Sequence, residues 1–213
     1  MKSKIDYTLY LVTDRSIMST KTIEIAVEDA IKGGCTIVQL REKAVSSLEF
    51  LEIAIKLKRI TSKYNVPLII NDRVDIALAV DAEGVHVGQQ DLPAEIARKL
   101  IGENKILGVS VANFKEAITA YNNGADYLGV GAMFATNTKS DANITTFEEL
   151  KKIRNEILIP IVVIGGINAD TIPLFHGSGI NGVAVVSAII SQPNIFQASQ
   201  NLRMLLYSQL YMK

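Results

Sequence analysis

The sequence predicts an α/β fold, a single (β/α)8 TIM barrel, on three observations. Eight short apolar runs rich in β-branched residues recur along the chain, helical patterns separate them, and each run ends in residues able to do chemistry. Those ends are Thr13-Asp14-Arg15, Gln39 to Lys43, Asn71-Asp72-Arg73, His86 to Asp91, Ser110, Thr136 to Lys139, Gly165-Gly166 and Val186-Ser187. A closed parallel barrel gathers the C-terminal ends of its strands on one face, where active sites sit. Strands that are apolar throughout, rather than alternating, suit a parallel sheet buried on both faces. The alternative is an open doubly wound sheet. Polar ends on every strand favour closure.

The elements follow in order. Leu9 to Thr13 is the first strand, and Ile23, Ala26, Val27, Ala30 and Ile31 then recur at helical spacing until Gly33-Gly34 stops the helix. Ile37 to Leu40 is the second strand. Leu48 to Ile60 is an amphipathic helix with Lys56, Lys58 and Arg59 toward its end, where the helix dipole favours cations. Pro67 opens the third strand, Leu68 to Ile70, and a short helix around Ile76 to Val80 leads to the fourth, Gly84 to Val87. Pro93 begins the next helix at a position that tolerates a missing N–H. Ile106 to Val109 is the fifth strand. Asn113 with Glu116 reads as a capping box before Ala117, Ile118 and Tyr121. Tyr127 to Val130 is the sixth strand, and 131–145 is the longest irregular stretch, a length that is usually functional or disordered. Thr145 with Glu148 is expected to cap the following helix. Ile161 to Ile164 and Gly182 to Val185 are the last two strands, and a final helix carries Leu202, Leu205 and Leu206.

Residues 1–213 read as one domain, because no linker or break in composition divides them. With 22 basic and 22 acidic side chains the chain has no net charge, so it has no general pull toward nucleic acid or anionic lipid. The longest apolar runs, such as Val183 to Ile190, fall short of the roughly 20 residues a bilayer span needs. Met1-Lys2-Ser3-Lys4 is basic, but no apolar signal core follows. Cys35 is the single cysteine, which excludes an internal disulfide and points to a reducing cytoplasm; it reads as buried packing. Small-molecule substrates are expected, with homo-oligomerisation open.

Several strand ends have their own chemical logic. Gln39, Arg41 and Lys43 share a side if the second strand runs on, and a guanidinium beside an ammonium suits a phosphate or pyrophosphate. Solvated charges with an Arg–Glu pair are the plainer reading. Asp72 and Asp91 end neighbouring strands, where two carboxylates suit Mg²⁺ completed by water and substrate phosphate; Asp91 also reads as a helix cap. Thr136, Thr138 and Lys139 offer hydroxyls and a cation to phosphate oxygens, without the spacing of a Walker loop. Gly165-Gly166 and Val186-Ser187 follow the seventh and eighth strands, whose loops frequently bind phosphate in barrels. His86, between two valines, reads as a satisfied barrel or rim residue, and His176 as solvent-facing.

Taken together, YLVTDR at 10–15, QLREK at 39–43, NDR at 71–73, GVHVGQQD at 84–91, GVS at 108–110, TNTK ending at Lys139, GGI at 165–167 and VVS at 185–187 closely resemble the thiamine phosphate synthases. The resemblance runs from Tyr10 to about Ile190. It implies a barrel enzyme that joins an aminopyrimidine methyl diphosphate to a thiazole phosphate, giving thiamine phosphate and pyrophosphate. It further implies that Gln39, Leu40, Arg41, Glu42, Lys43, Asn71, Ser110 and Lys139 hold the pyrimidine diphosphate. Thr136, Asn137, Thr138, Gly166, Val186 and Ser187 would hold the thiazole phosphate. Asp72 and Asp91 would hold Mg²⁺, and Arg41, Lys43 and Lys139 would be the catalytic cations. The chain departs from the family at Ala132-Met133 and Ala135, where Pro-Ile and Pro are frequent. A thiazole tautomerase-like isomerase on the same barrel would need no metal or diphosphate site. A non-catalytic thiazole-phosphate-binding module is the rival from another class.

Overall fold

The computed structural model describes residues 5–135 and 144–211. Eight parallel strands close into a barrel in chain order, β1 (Leu9–Val12), β2 (Ile37–Leu40), β3 (Leu68–Asn71), β4 (Gly84–Val87), β5 (Ile106–Val111), β6 (Tyr127–Val130), β7 (Ile161–Val163) and β8 (Gly182–Val185). Closure is made by β1 against β8, with Leu9 opposite Val183 and Leu11 opposite Val185. The helices between them are α1 (Ile23–Lys32), α2 (Ser47–Lys63), α3 (Val74–Ala79), α4 (Ala94–Ile101), α5 (Phe114–Asn122) and α6 (Phe147–Glu156). A 3₁₀ turn, Ile172–Phe175, replaces the helix expected between β7 and β8, and His176 follows it on the surface. Two helices complete the chain, α7 (Ser187–Ile190) and α8 (Ile195–Tyr211).

Closure divides the core in two. Leu9, Leu11, Val38, Leu40, Leu68 and Ile70 face outward and join the apolar faces of the helices in one layer. Tyr10, Val12, Ile37, Ile69, Tyr127 and Val162 face inward and fill the barrel. Alternate residues of each strand therefore serve two different cores.

Local chemistry explains most boundaries. Thr22 caps α1 through its side chain, and Gly33 ends it with its N–H on Asp29; Gly34 follows at φ +110°, a region that glycine enters without strain. Ser46 caps α2, which starts at Ser47, one residue before the start the apolar pattern indicated. The box at α5 forms as read: Asn113 Oδ1 accepts from Glu116 N, and Glu116 reaches back to Ala112 N. The cap of α6 is a correction. Thr146 accepts from Glu149 N, not Thr145 from Glu148, because Thr145 is buried and spends its N–H on Ala132 O and its hydroxyl on Ala112 O. Pro93 precedes α4 as its cap residue rather than beginning it. Strand β5 runs two residues past Val109, which carries Ser110 within the strand.

Candidate active site

The C-terminal strand ends open into one cavity of about 430 Å³. Of the residues named from sequence, Gln39, Arg41, Lys43, Asn71, Asp72, Asp91, Ser110, Gly166, Val186 and Ser187 line it. Thr136, Asn137, Thr138 and Lys139 lie outside the described residues. Leu40 and Glu42 are not in the lining. Leu40 is fully buried on the outer face of β2 among the helix side chains, as pleat alternation requires once Gln39 points inward. Glu42 turns away to Arg15, which donates from Nε at 2.8 Å and from a terminal nitrogen at 3.1 Å, and also bonds Glu49. Arg15 is about a third exposed, so this fork contributes little net stability; its consequence is to tie the ends of β1 and β2 together.

That tie positions two cations. The buried Thr13 hydroxyl accepts from Arg41 N at 3.0 Å, and the Arg41 guanidinium lies 3.6 Å from Asp14. Lys43 donates to Asp72. Asp72 sits just past β3 at φ +62°, a conformation that aspartate adopts more readily than most residues. Its carboxyl is held above the usual range by burial and by the neighbouring Asp91 carboxyl, against the pull of Lys43. Asp91 also accepts from Gly88 N at 2.8 Å. Two like charges in contact are what a divalent cation relieves. Among the described residues no cluster of three or more His, Cys, Asp or Glu stands ready for a metal, so this pair leaves most positions to water and phosphate, as Mg²⁺ accepts. The donor set fits Mg²⁺.

Across the cavity, Gly165 and Gly166 follow β7 at φ +94° and +66°. Both lie under the base of the loop that leaves β6. A Cβ at Gly165 would come 2.5 Å from Ala132 Cβ, and one at Gly166 would come 2.7 Å from Phe134 Cβ. Close packing therefore demands these glycines independently of any phosphate. The loop base is itself anchored through Met133 N to Ile164 O and Phe134 N to Gly165 O, so Ala132-Met133 are held there without proline.

The cavity floor was not legible in advance. Tyr10, Tyr127 and His86 line it with Gln39 and Ser110, joined by hydrogen bonds of 2.8 Å. His86 is buried and bonded at both ring nitrogens, the satisfied barrel residue expected. The available signal was parity: Tyr10, Gln39, His86, Ser110 and Tyr127 all occupy the inward positions of their strands.

Comparison with known proteins agrees with this geometry. The family described as thiamine monophosphate synthase matches the chain over residues 9–189. A thiamine-phosphate synthase of Clostridium beijerinckii is 63% identical over 203 residues, covering 95% of this chain and 97% of its own. One from Clostridium botulinum is 60% identical over 203 residues, covering 95% of each. The thiamine phosphate pyrophosphorylase structure from Pyrococcus furiosus superposes with a TM-score of 0.89 at 39% identity, covering 96% of this chain and 98% of its own. On sequence and on fold alike, the chain belongs to the thiamine monophosphate synthase family.

Proposed function

We propose that the protein is a transferase that joins 4-amino-2-methyl-5-(diphosphooxymethyl)pyrimidine to 4-methyl-5-(2-phosphooxyethyl)thiazole, giving thiamine phosphate and pyrophosphate. The observation that carries this reading is a single cavity with the cations Arg41 and Lys43 past the end of β2, the glycines Gly165 and Gly166 past β7, and Val186-Ser187 past β8. Two phosphorylated substrates can thus lie with their reacting ends between them. Arg41 and Lys43, with Lys139 outside the described residues, would bind the diphosphate and stabilise the charge that grows on it as its C–O bond breaks. Gln39, Asn71 and Ser110 would orient the aminopyrimidine. Gly166, Val186 and Ser187, with Thr136, Asn137 and Thr138, would hold the thiazole phosphate so that its ring nitrogen meets the pyrimidine methylene. Asp72 and Asp91 would hold Mg²⁺, which when bound neutralises phosphate charge. No protein nucleophile is called on, and the buried walls keep water from the reacting carbon. We place this activity in the cytoplasm, where the buried thiol of Cys35 stays reduced; no described helix is long and apolar enough to cross a membrane.

The test is product formation. Both substrates with Mg²⁺ should yield thiamine phosphate and pyrophosphate in equal amounts, and chelation of the metal should stop the reaction. Release of pyrophosphate without the coupled product, or turnover of the thiazole phosphate alone, would refute the assignment.

A further inference from the structure

The floor of the cavity contains an unbroken chain of hydrogen bonds from β2 to β5, and its direction follows from donor accounting. Gln39 Nε2 donates to the Tyr10 hydroxyl at 2.8 Å. Tyr10 is fully buried, and among the described residues its other hydroxyl partner is the Tyr127 hydroxyl at 2.8 Å. A buried phenol places its one proton on an acceptor. The Tyr10 oxygen is already accepting from Gln39, so its proton goes to Tyr127. The Tyr127 proton then goes to His86 Nδ1, 2.8 Å away. A histidine that accepts at Nδ1 carries its proton at Nε2, and Nε2 lies 2.8 Å from Ser110 Oγ. Ser110 Oγ accepts there, which leaves the serine proton for the cavity. At the other end, Gln39 has spent one N–H on Tyr10 and presents its amide oxygen beside its second N–H. Running the chain backwards would require the Gln39 amide to turn over and place its oxygen, not its nitrogen, on Tyr10.

We propose that Tyr10, Tyr127 and His86 are positioning residues that fix this polarity, so that Ser110 meets the aminopyrimidine as a proton donor and Gln39 meets it as an acceptor. The inference rests on the aminopyrimidine diphosphate being the substrate. That ring offers the matching pattern, an amino group that donates and ring nitrogens that accept. A pyrimidinone would offer ring N–H to the donating Ser110, which would leave a buried group unpaired.

Two further observations support a fixed relay. Burial holds the Tyr10 phenol above its ordinary range, and burial followed by the neighbouring Tyr10 does the same for Tyr127, so both stay protonated donors. The rings also have no room to turn. A Cβ at Gly108 would come 2.2 Å from Tyr127 Cζ, and one at Gly129 would come 3.0 Å from His86 Cε1, so β5 and β6 are hollowed to seat these two side chains. A chain of this kind polarises along its length, and its ends act together.

The experiment begins with ¹⁵N NMR of the whole, ligand-free protein labelled at histidine, with His176→Gln to assign the two rings. The expected spectrum has a bare Nδ1 and a protonated Nε2 at His86. The opposite tautomer, or a doubly protonated ring, overturns the relay. Calorimetry with the aminopyrimidine alcohol and its two pyridine analogues, each lacking one ring nitrogen, then tests the consequence. Wild type should prefer the parent by roughly tenfold or more over the analogue without the nitrogen that Ser110 serves, as for loss of one buried hydrogen bond. Ser110→Ala should abolish the preference, and Tyr127→Phe should reduce it to about threefold or less while thiazole phosphate binding is unchanged. Equal weakening of parent and analogues in Tyr127→Phe would show mere structural support and overturn the proposal. If wild type makes product from both substrates yet shows the wrong tautomer, the relay fails and the substrate assignment stands; if it neither binds the parent nor makes product, the assignment itself fails.

Discussion

At Gly166 one missing methyl group carries two requirements. The backbone stands at φ +66°, and the space where a Cβ would project is already filled by Phe134 and by Ala135 O. The left-handed conformation alone costs an L-residue roughly 1–2 kcal/mol. Gly166→Ala should therefore lower the melting temperature by about 4–8 °C if steric overlap brings the total to about 2 kcal/mol. It should also raise the KM for the thiazole phosphate, because the loop base must shift. Calorimetric melting with steady-state kinetics checks both, and wild-type values in both would show that the loop gives way freely. Cys35 makes the complementary case of a residue that does no chemistry. Burial pushes its thiol up to about 12, against a long contact to Ser199 and the charge of Arg203. A raised thiol pKa means scarce thiolate at neutral pH, so the native protein should react with a thiol reagent at pH 8 only as fast as it opens. A time course with and without denaturant measures this; rapid native labelling would contradict the buried placement.

Elements are set by their ends as much as by their faces. Helix α6 starts where Thr146 accepts from Glu149 N, while Thr145 one residue earlier straps the loop base to β5 through Ala112 O. The two threonines should respond differently to truncation. Thr146→Ala removes a cap and should cost about 0.5–2 kcal/mol in urea unfolding. It should leave kinetics unchanged, because α6 stays anchored by Leu150 and Ile153. Thr145→Ala should also affect turnover, because it removes the hydroxyl that straps residue 145 to Ala112 O at the end of β5, beside the base of the cavity loop. A loss of stability in Thr145→Ala with no change in kcat or KM would separate the strap from function. The same logic holds at β2, where Gln39, Arg41 and Lys43 reach the cavity while Leu40 and Glu42 serve the helix layer and Arg15.

For the whole molecule, closure is the decisive step, since β1 and β8 lie almost a full chain apart in sequence. Gly182 sits at that seam. A Cβ there would come 1.8 Å from Tyr7 O and 2.8 Å from Thr8 Cα. Backbone cannot yield as a side chain does, so Gly182→Ala should cost at least the roughly 1–3 kcal/mol of an overpacked core. The loss should be global, because the seam joins the first and last units of one sheet. Far-UV and near-UV circular dichroism, the latter reporting the barrel tyrosines, should lose signal together at a lower denaturant concentration than wild type. Separate transitions, or an unchanged midpoint, would show that the seam is not integral to the barrel.

From the linear pattern alone came the eight strands, the helices between all but the last two, and the polar residues that end each run. Those features depend on local spacing: a strand, a helix and a glycine stop are each written within a few residues. The carboxylate pair and the paired cations were legible for the same reason, since Gln39 to Lys43 and the acids at 72 and 91 need only the strand order to come together. The floor of the site was not. Strands that are apolar on both faces conceal which parity looks inward, so Tyr10 and Tyr127 read as plain strand residues, and the partners of His86 stayed hidden, until closure turned the three toward one another. Charge partners were equally hidden, because Arg15 lies 27 positions from Glu42 and only the β1–β2 contact brings them together. Nor could spacing choose between Thr145 and Thr146, two adjacent hydroxyls each followed by an acid three residues on. Burial decided, by taking Thr145 into the loop strap and leaving Thr146 free to cap.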